Sequence, residues 1–212
     1  NERHEAWESV ARKIAHEIKN PLTPIQLIID NLKKKYSDLF DEKNKESFLD
    51  KIKTINKQIK LIENLVNEFS DFARMPKPIF KNNELNKIIK DSINLMKIND
   101  KDIAINFVSK KVYYVNSDIE QLNRVFINLF KNSIESLKEK HEKMGDFQKK
   151  IDVEIQLIND YINIVVQDNG TGFTNNDLRI FSKPYFTTKK EGSGLGLSIV
   201  EKILNDHNGF IE

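Results

Sequence analysis

The chain has 212 residues, 39% hydrophobic and 31% charged, enough to bury a core beneath a strongly charged surface. Its 34 basic and 32 acidic residues leave a net charge of +2, which is no electrostatic footprint for nucleic acid or a membrane surface. It holds no cysteine, so disulfides and thiolate metal sites are excluded, and no apolar run approaches the roughly 18 residues that span a bilayer.

From Ala6 to Leu32 apolar residues fall at Trp7, Val10, Ile14, Ile18, Leu22, Ile25, Ile29 and Leu32. Steps of three and four predict one amphipathic helix. Pro21 and Pro24 lie inside this stripe, which keeps its phase across them, so a kinked but continuous helix is expected. A polar stretch, KKKYSDLFDEKNKE, separates it from a second stripe at Leu49, Ile52, Ile55, Ile59, Ile62, Val66, Phe69 and Ala73. The two make an antiparallel hairpin, and pairing two hairpins in a dimeric four-helix bundle buries both stripes.

The prolines of ARMPKPIF end the second helix and mark a domain boundary. The expected division is a hairpin over 1–74, a linker over 75–82 and a second domain over 83–212. In that domain the pattern predicts a helix from Asn83 to Met96, strands over Ile103–Val108 and Lys111–Val115, and a long helix from Ser117 to Lys140. Strands over Ile151–Ile158 and Tyr161–Gln167, a helix from Gly194 to Asp206 and a strand from Gly209 follow. Strands interleaved with helices suggest an α/β sandwich, so the whole chain is α+β. It begins at Asn1 without Met and ends within a predicted strand, and a fragment of a longer protein is expected.

Three short stretches of the second domain carry chemistry. NLFKNSIES places Asn128 and Asn132 four apart on one helix face, offering carboxamide oxygens to a hard cation and donors to phosphate. VVQDNGTGF ends a strand in Asp168, an acceptor for an exocyclic amine, with Gly170 and Gly172 letting backbone approach a planar base. EGSGLGLSIV sets Gly192, Gly194 and Gly196 before a helix whose N-terminal N–H groups suit an anion. Taken singly, each also reads as an exposed Asn pair, a plain turn or a glycine hinge. Between the last two lies IFSKPYFTTKKEG, with Phe181, Tyr185 and Phe186 interleaved, a segment able to close over a nucleotide, and Lys189 placed to reach phosphate.

The order Asn-x-x-x-Asn, Asp-x-Gly-x-Gly, phenylalanine-bearing lid and Gly-x-Gly-x-Gly resembles the nucleotide-binding boxes of sensor histidine kinases. Their ATP-binding domain has the Bergerat fold, shared with gyrase and MutL. The resemblance implies that Asn132 ligates Mg²⁺ bridging the phosphates of ATP, with Asn128 assisting. It implies too that Asp168 reads the adenine amino group and that Gly192, Gly194 and Gly196 close on the phosphates. Relatives that hydrolyse ATP carry Glu at the place of Asn128, and a carboxamide cannot take the proton of a water. Transfer to a protein nucleophile is therefore favoured over hydrolysis.

His16 lies opposite the apolar stripe of the first helix and is expected to face solvent. HEIKNPLTP resembles the histidine box of the same family, which makes His16 the implied phosphoacceptor. By the same resemblance Glu17 orients the imidazole, and Asn20, one turn on, positions water for a phosphatase reaction. The full stretch is most like the NtrY-type kinases. That likeness implies a homodimer, a response-regulator receiver domain of the NtrX type as partner, and membrane anchoring at the cytoplasmic face through a preceding region. Two rivals are a Bergerat-fold ATPase with a mechanical role, which would want Glu at 128, and a dimerisation scaffold with a dead pocket.

Overall fold

A computed structural model describes residues 2–100, 102–172 and 194–212. The first helix, α1, spans Glu2–Tyr36 and continues through Pro21 and Pro24. A 3₁₀ turn over Ser37–Leu39 leads to α2, Glu42–Ala73, whose N-cap Asp41 accepts a hydrogen bond from the backbone N–H of Asn44. Two compact units part between Pro76 and Lys77.

Within the hairpin, Ala15, Leu22 and Ile29 of α1 and Ile52, Ile59 and Val66 of α2 are buried, each set stepping by one heptad. Leu22, Ile29, Ile52 and Ile59 form one cluster, with Phe48 against it. Beside it Gln26 donates from Nε2 to Oδ1 of Asn56 at 3.1 Å, joining the helices across their seam. Several other stripe residues stay open: Ile14 is 40% exposed, Ile18 39% and Ile55 43%. Each stripe thus serves two seams, one filled by the hairpin itself and one left uncovered within this chain.

In the second unit β1 (Lys81–Glu84) begins inside the stretch expected as linker, and α3 covers Leu85–Asn99. Then come β2 (Ala104–Ser109), β3 (Tyr114–Ser117), α4 (Ile119–Met144), β4 (Lys150–Ile158), β5 (Tyr161–Asp168) and α5 (Gly196–Asp206). β1 pairs antiparallel with β3, while β4 lies between β2, parallel to it, and β5, antiparallel. Asn159 and Asp160, both at positive φ (49° and 64°), form the two-residue turn that joins β4 to β5. Ile151, Val153 and Ile155 of β4 are at most 1% exposed, and α4 packs with both α3 and α5. The strand predicted from Gly209 is not formed: residues 209–212 have no ladder partner among the described residues. Instead Asn208 turns to φ 56° and Gly209 N donates to the carbonyl of Leu204 at 2.7 Å, closing the end of α5.

Asp118, the N-cap of α4, fixes where that helix starts. Its Oδ1 accepts from the N–H groups of Glu120 and Gln121, and its Oδ2 accepts from Ile79 N at 2.7 Å. Its own N–H donates to Nε2 of His207, which leaves Nδ1 of that ring to donate to the Ile203 carbonyl. Burial would raise the Asp118 carboxyl, but the N–H donors of Ile79, Gln121 and Glu120, with a smaller contribution from His207, outweigh it and hold the carboxyl below its usual range. Because the folded value is depressed, this stabilisation is full above the ordinary value of 3.8 and is lost as pH falls through the folded one. Asp118→Ala is expected to cost about 1–2 kcal/mol in a denaturant titration at neutral pH. Asp118→Asn keeps a cap and should flatten the acid limb of stability against pH. An unchanged acid limb would remove this account.

Candidate functional site

Asn128, Asn132, Ser136 and Lys140 follow one another at i, i+4 steps and share one face of α4. The opposite face, with Phe126, Phe130, Ile134 and Leu137, is buried and fixes the rotation of the helix. At one end of the polar face, Asn128 is tied back by its Nδ2 to the Arg124 carbonyl at 2.8 Å, so its Oδ1 points outward. A Cβ built on Gly196, the first residue of α5, would lie 3.4 Å from that oxygen, which places the start of α5 beside Asn128.

Some two turns on, roughly 12 Å along the axis, the same face meets the end of β5. Ser136 Oγ lies 3.1 Å from Asp168 Oδ1 and accepts from Thr171 N at 3.0 Å. Asp168 Oδ1 also accepts from Gly170 N at 2.9 Å, closing an Asx turn. Lys140 donates to the Asn169 carbonyl at 2.6 Å, and Asn169 spans to Gln148 O and Lys150 N. The turn is therefore pinned from both sides. Gly170 is required by crowding: a Cβ there would fall on Ser136 Oγ and 2.7 Å from the main-chain carbonyl carbon of Ser136. Gly172 (φ 69°) and Gly194 (φ 68°) occupy the left-handed region that favours glycine.

The structure thus brings Asn128, Asn132, Asp168, Gly170 and Gly196 onto and around one helix face. Lys189, Gly192 and the lid residues Phe181, Tyr185 and Phe186 lie outside the described residues. Two members of the site, Ser136 and Lys140, escaped sequence reasoning; the available signal was their continuation of the four-residue step from Asn132. Among the described residues no group of three or more His, Asp or Glu could hold a metal ion. The oxygen donors here are carboxamides, which suit a hard ion that arrives with phosphate ligands and needs few from protein.

In the hairpin, His16, Glu17 and Asn20 are all exposed, with His16 and Asn20 one turn apart on the same face of α1. The expected hydrogen bond between Glu17 and His16 is not formed in this structure. Successive helix residues point about 100° apart, and Glu17 instead reaches back one turn to Lys13, at 3.9 Å.

The family described as "Histidine kinase-, DNA gyrase B-, and HSP90-like ATPase" matches residues 117–212, and "His Kinase A (phospho-acceptor) domain" matches 6–78. The chain belongs to the sensor histidine kinases, with a helical phosphoacceptor region followed by an ATPase-fold domain. Among its relatives is a "Putative sensor histidine kinase NtrY-like" of Rickettsia felis, 38% identical over 98% of this chain and 33% of the relative. "Nitrogen regulation protein NtrY" of Azorhizobium caulinodans is 36% identical over 100% of this chain and 27% of its own length. The chain therefore spans about a third or less of these curated relatives. Among solved structures, the catalytic domain of histidine kinase ThkA aligns with TM-score 0.51 and 29% identity, over 61% of this chain and 82% of that one. Full-length ShkA aligns over 93% of this chain and 41% of its own with TM-score 0.62; at 17% identity the likeness is one of fold. No helix among the described residues is long and apolar enough to cross a membrane.

Proposed function

We propose that the chain is the catalytic core of an NtrY-type sensor histidine kinase that phosphorylates His16 from ATP and passes the phosphoryl group to an aspartate of a response regulator. The observation that carries this reading is the polar face of α4, which runs from Asn128 beside the start of α5 to Ser136 beside the Asp168 turn. Asp168 accepts from the exocyclic amine of adenine, while Asn128, Asn132 and the glycines before and at the start of α5, Gly192, Gly194 and Gly196, attend the phosphates with Lys189. Asn132 would hold Mg²⁺, which when bound offsets phosphate charge. Gly170 and Gly172 shape the turn against the base.

His16 supplies the nucleophile: a neutral ring nitrogen forms the N–P bond as the bond from the γ-phosphorus to the ADP oxygen breaks. Glu17, beside it, is the carboxylate available to the ring once it leaves Lys13. Asn128 cannot act as a base toward water, which favours transfer over hydrolysis. Asn20 would orient water for the reverse, phosphatase reaction on the regulator. The division into a hairpin over 1–74, a linker over 75–82 and a catalytic domain over 83–212 belongs to the same proposal, as does membrane anchoring through a preceding region of the full-length protein.

Titration with ATP and Mg²⁺ tests the reading. Binding below millimolar nucleotide is expected, and no binding at millimolar levels would favour a scaffold with a dead pocket. The uncovered seam further proposes a homodimer through α1 and α2. Ile14→Glu with Ile18→Glu, which puts charge on that seam and leaves the Leu22–Ile59 cluster intact, should yield a folded monomer by light scattering. A dimer that survives both changes would place the interface elsewhere.

A further inference from the structure

We infer that Ser136 is the positioning residue that presents Asp168 to adenine, and that it sets the preference of this site for adenine over guanine nucleotides. The inference rests on the proposed ATP site and goes one residue beyond it. A serine hydroxyl has one hydrogen to give and two lone pairs to offer. Here it gives to Asp168 Oδ1, takes the N–H of Thr171, and lies 3.4 Å from Thr171 Oγ1, whose hydrogen fits its second lone pair. All of its capacity is directed at the Asp168–Thr171 turn.

Asp168 Oδ1 therefore receives two donors, Ser136 Oγ and Gly170 N, which lock the carboxylate about its terminal torsion. Oδ2 takes part in no hydrogen bond among the described residues and is left as the outward acceptor. An acceptor fixed in that way welcomes the amine at position 6 of adenine and repels the carbonyl oxygen that guanine carries there. The packing explains why the residue must be small, because even a Cβ on Gly170 would meet it. Alanine would fit but would free the carboxylate to rotate and would strip Thr171 N of its acceptor.

The test is calorimetric titration of the 212-residue chain with ATP and with GTP, each with Mg²⁺, for wild type, Ser136→Ala, Asp168→Ala and the double variant. Alanine is the best helix former, so Ser136→Ala leaves α4 intact, and circular dichroism verifies it. Losing a hydrogen bond to a charged group should raise the Kd for ATP about tenfold while GTP binding stays as it was. Because Ser136 acts through Asp168, the double variant should bind ATP no more weakly than Asp168→Ala alone. If Asp168→Ala weakens ATP binding but Ser136→Ala does not, or if the two losses add, Ser136 is not the positioning residue. Equal weakening of ATP and GTP by Ser136→Ala overturns the selectivity claim. If Asp168→Ala binds ATP like wild type, the adenine assignment of Asp168 falls, and this inference with it.

Discussion

His16→Gln is expected to reduce transfer of label from [γ-³²P]ATP to the chain to background. Glutamine keeps a polar side chain of similar reach on an exposed helix position, so α1 loses neither propensity nor packing. It lacks the lone pair of a neutral imidazole nitrogen, and with it the nucleophile. Asn128, Asn132, Asp168, Gly170 and Gly196 belong to the other compact unit, so ATP affinity should stay within about twofold of wild type. This split separates a lost acceptor from a lost fold. Label that persists on His16→Gln would move the acceptor to another side chain.

Gly170→Ala should weaken nucleotide binding about ten- to a hundredfold through a single methyl group. The new carbon would collide with Ser136 Oγ, and it would lie 2.7 Å from both Asp168 Oδ1 and the main chain of Ser136. A serine hydroxyl can rotate away, but the backbone of α4 is held by the buried face beneath it and cannot. The turn must shift instead, carrying Asp168 with it. Such crowding costs about 1–3 kcal/mol of folding stability. Misplacing one charge-assisted hydrogen bond costs ATP affinity about ten- to a hundredfold. Thermal melting and ATP titration of the same variant read the two effects separately, and a variant with wild-type affinity would show that the turn does not contact nucleotide.

The helices were legible because their apolar residues recur at helical spacing, and α4 and the β4–β5 pair fall within a few residues of their predicted bounds. What the spacing hid was that each hairpin stripe merges two seams: burial at Leu22 and Ile29 and exposure at Ile14 and Ile18 emerge only once α2 is in place. β1 was missed because KNNE has neither apolar residues nor alternation; its identity comes from pairing Lys81–Glu84 with Tyr114–Ser117. The nucleotide boxes were legible as residue types, whereas Ser136 was not. Its role depends on the end of β5 lying against α4, a contact between residues 32 positions apart.

The central claim, that His16 takes the phosphoryl group from ATP, is tested most directly by the chemistry and position of the label. After incubation with [γ-³²P]ATP and Mg²⁺, the labelled chain is digested, the labelled peptide is identified, and its stability in acid and in base is compared. A phosphoramidate on His16 predicts label on the peptide containing HEIKNPLTP, stable in base and lost in acid. Label that survives acid, or that maps to another peptide, would contradict it.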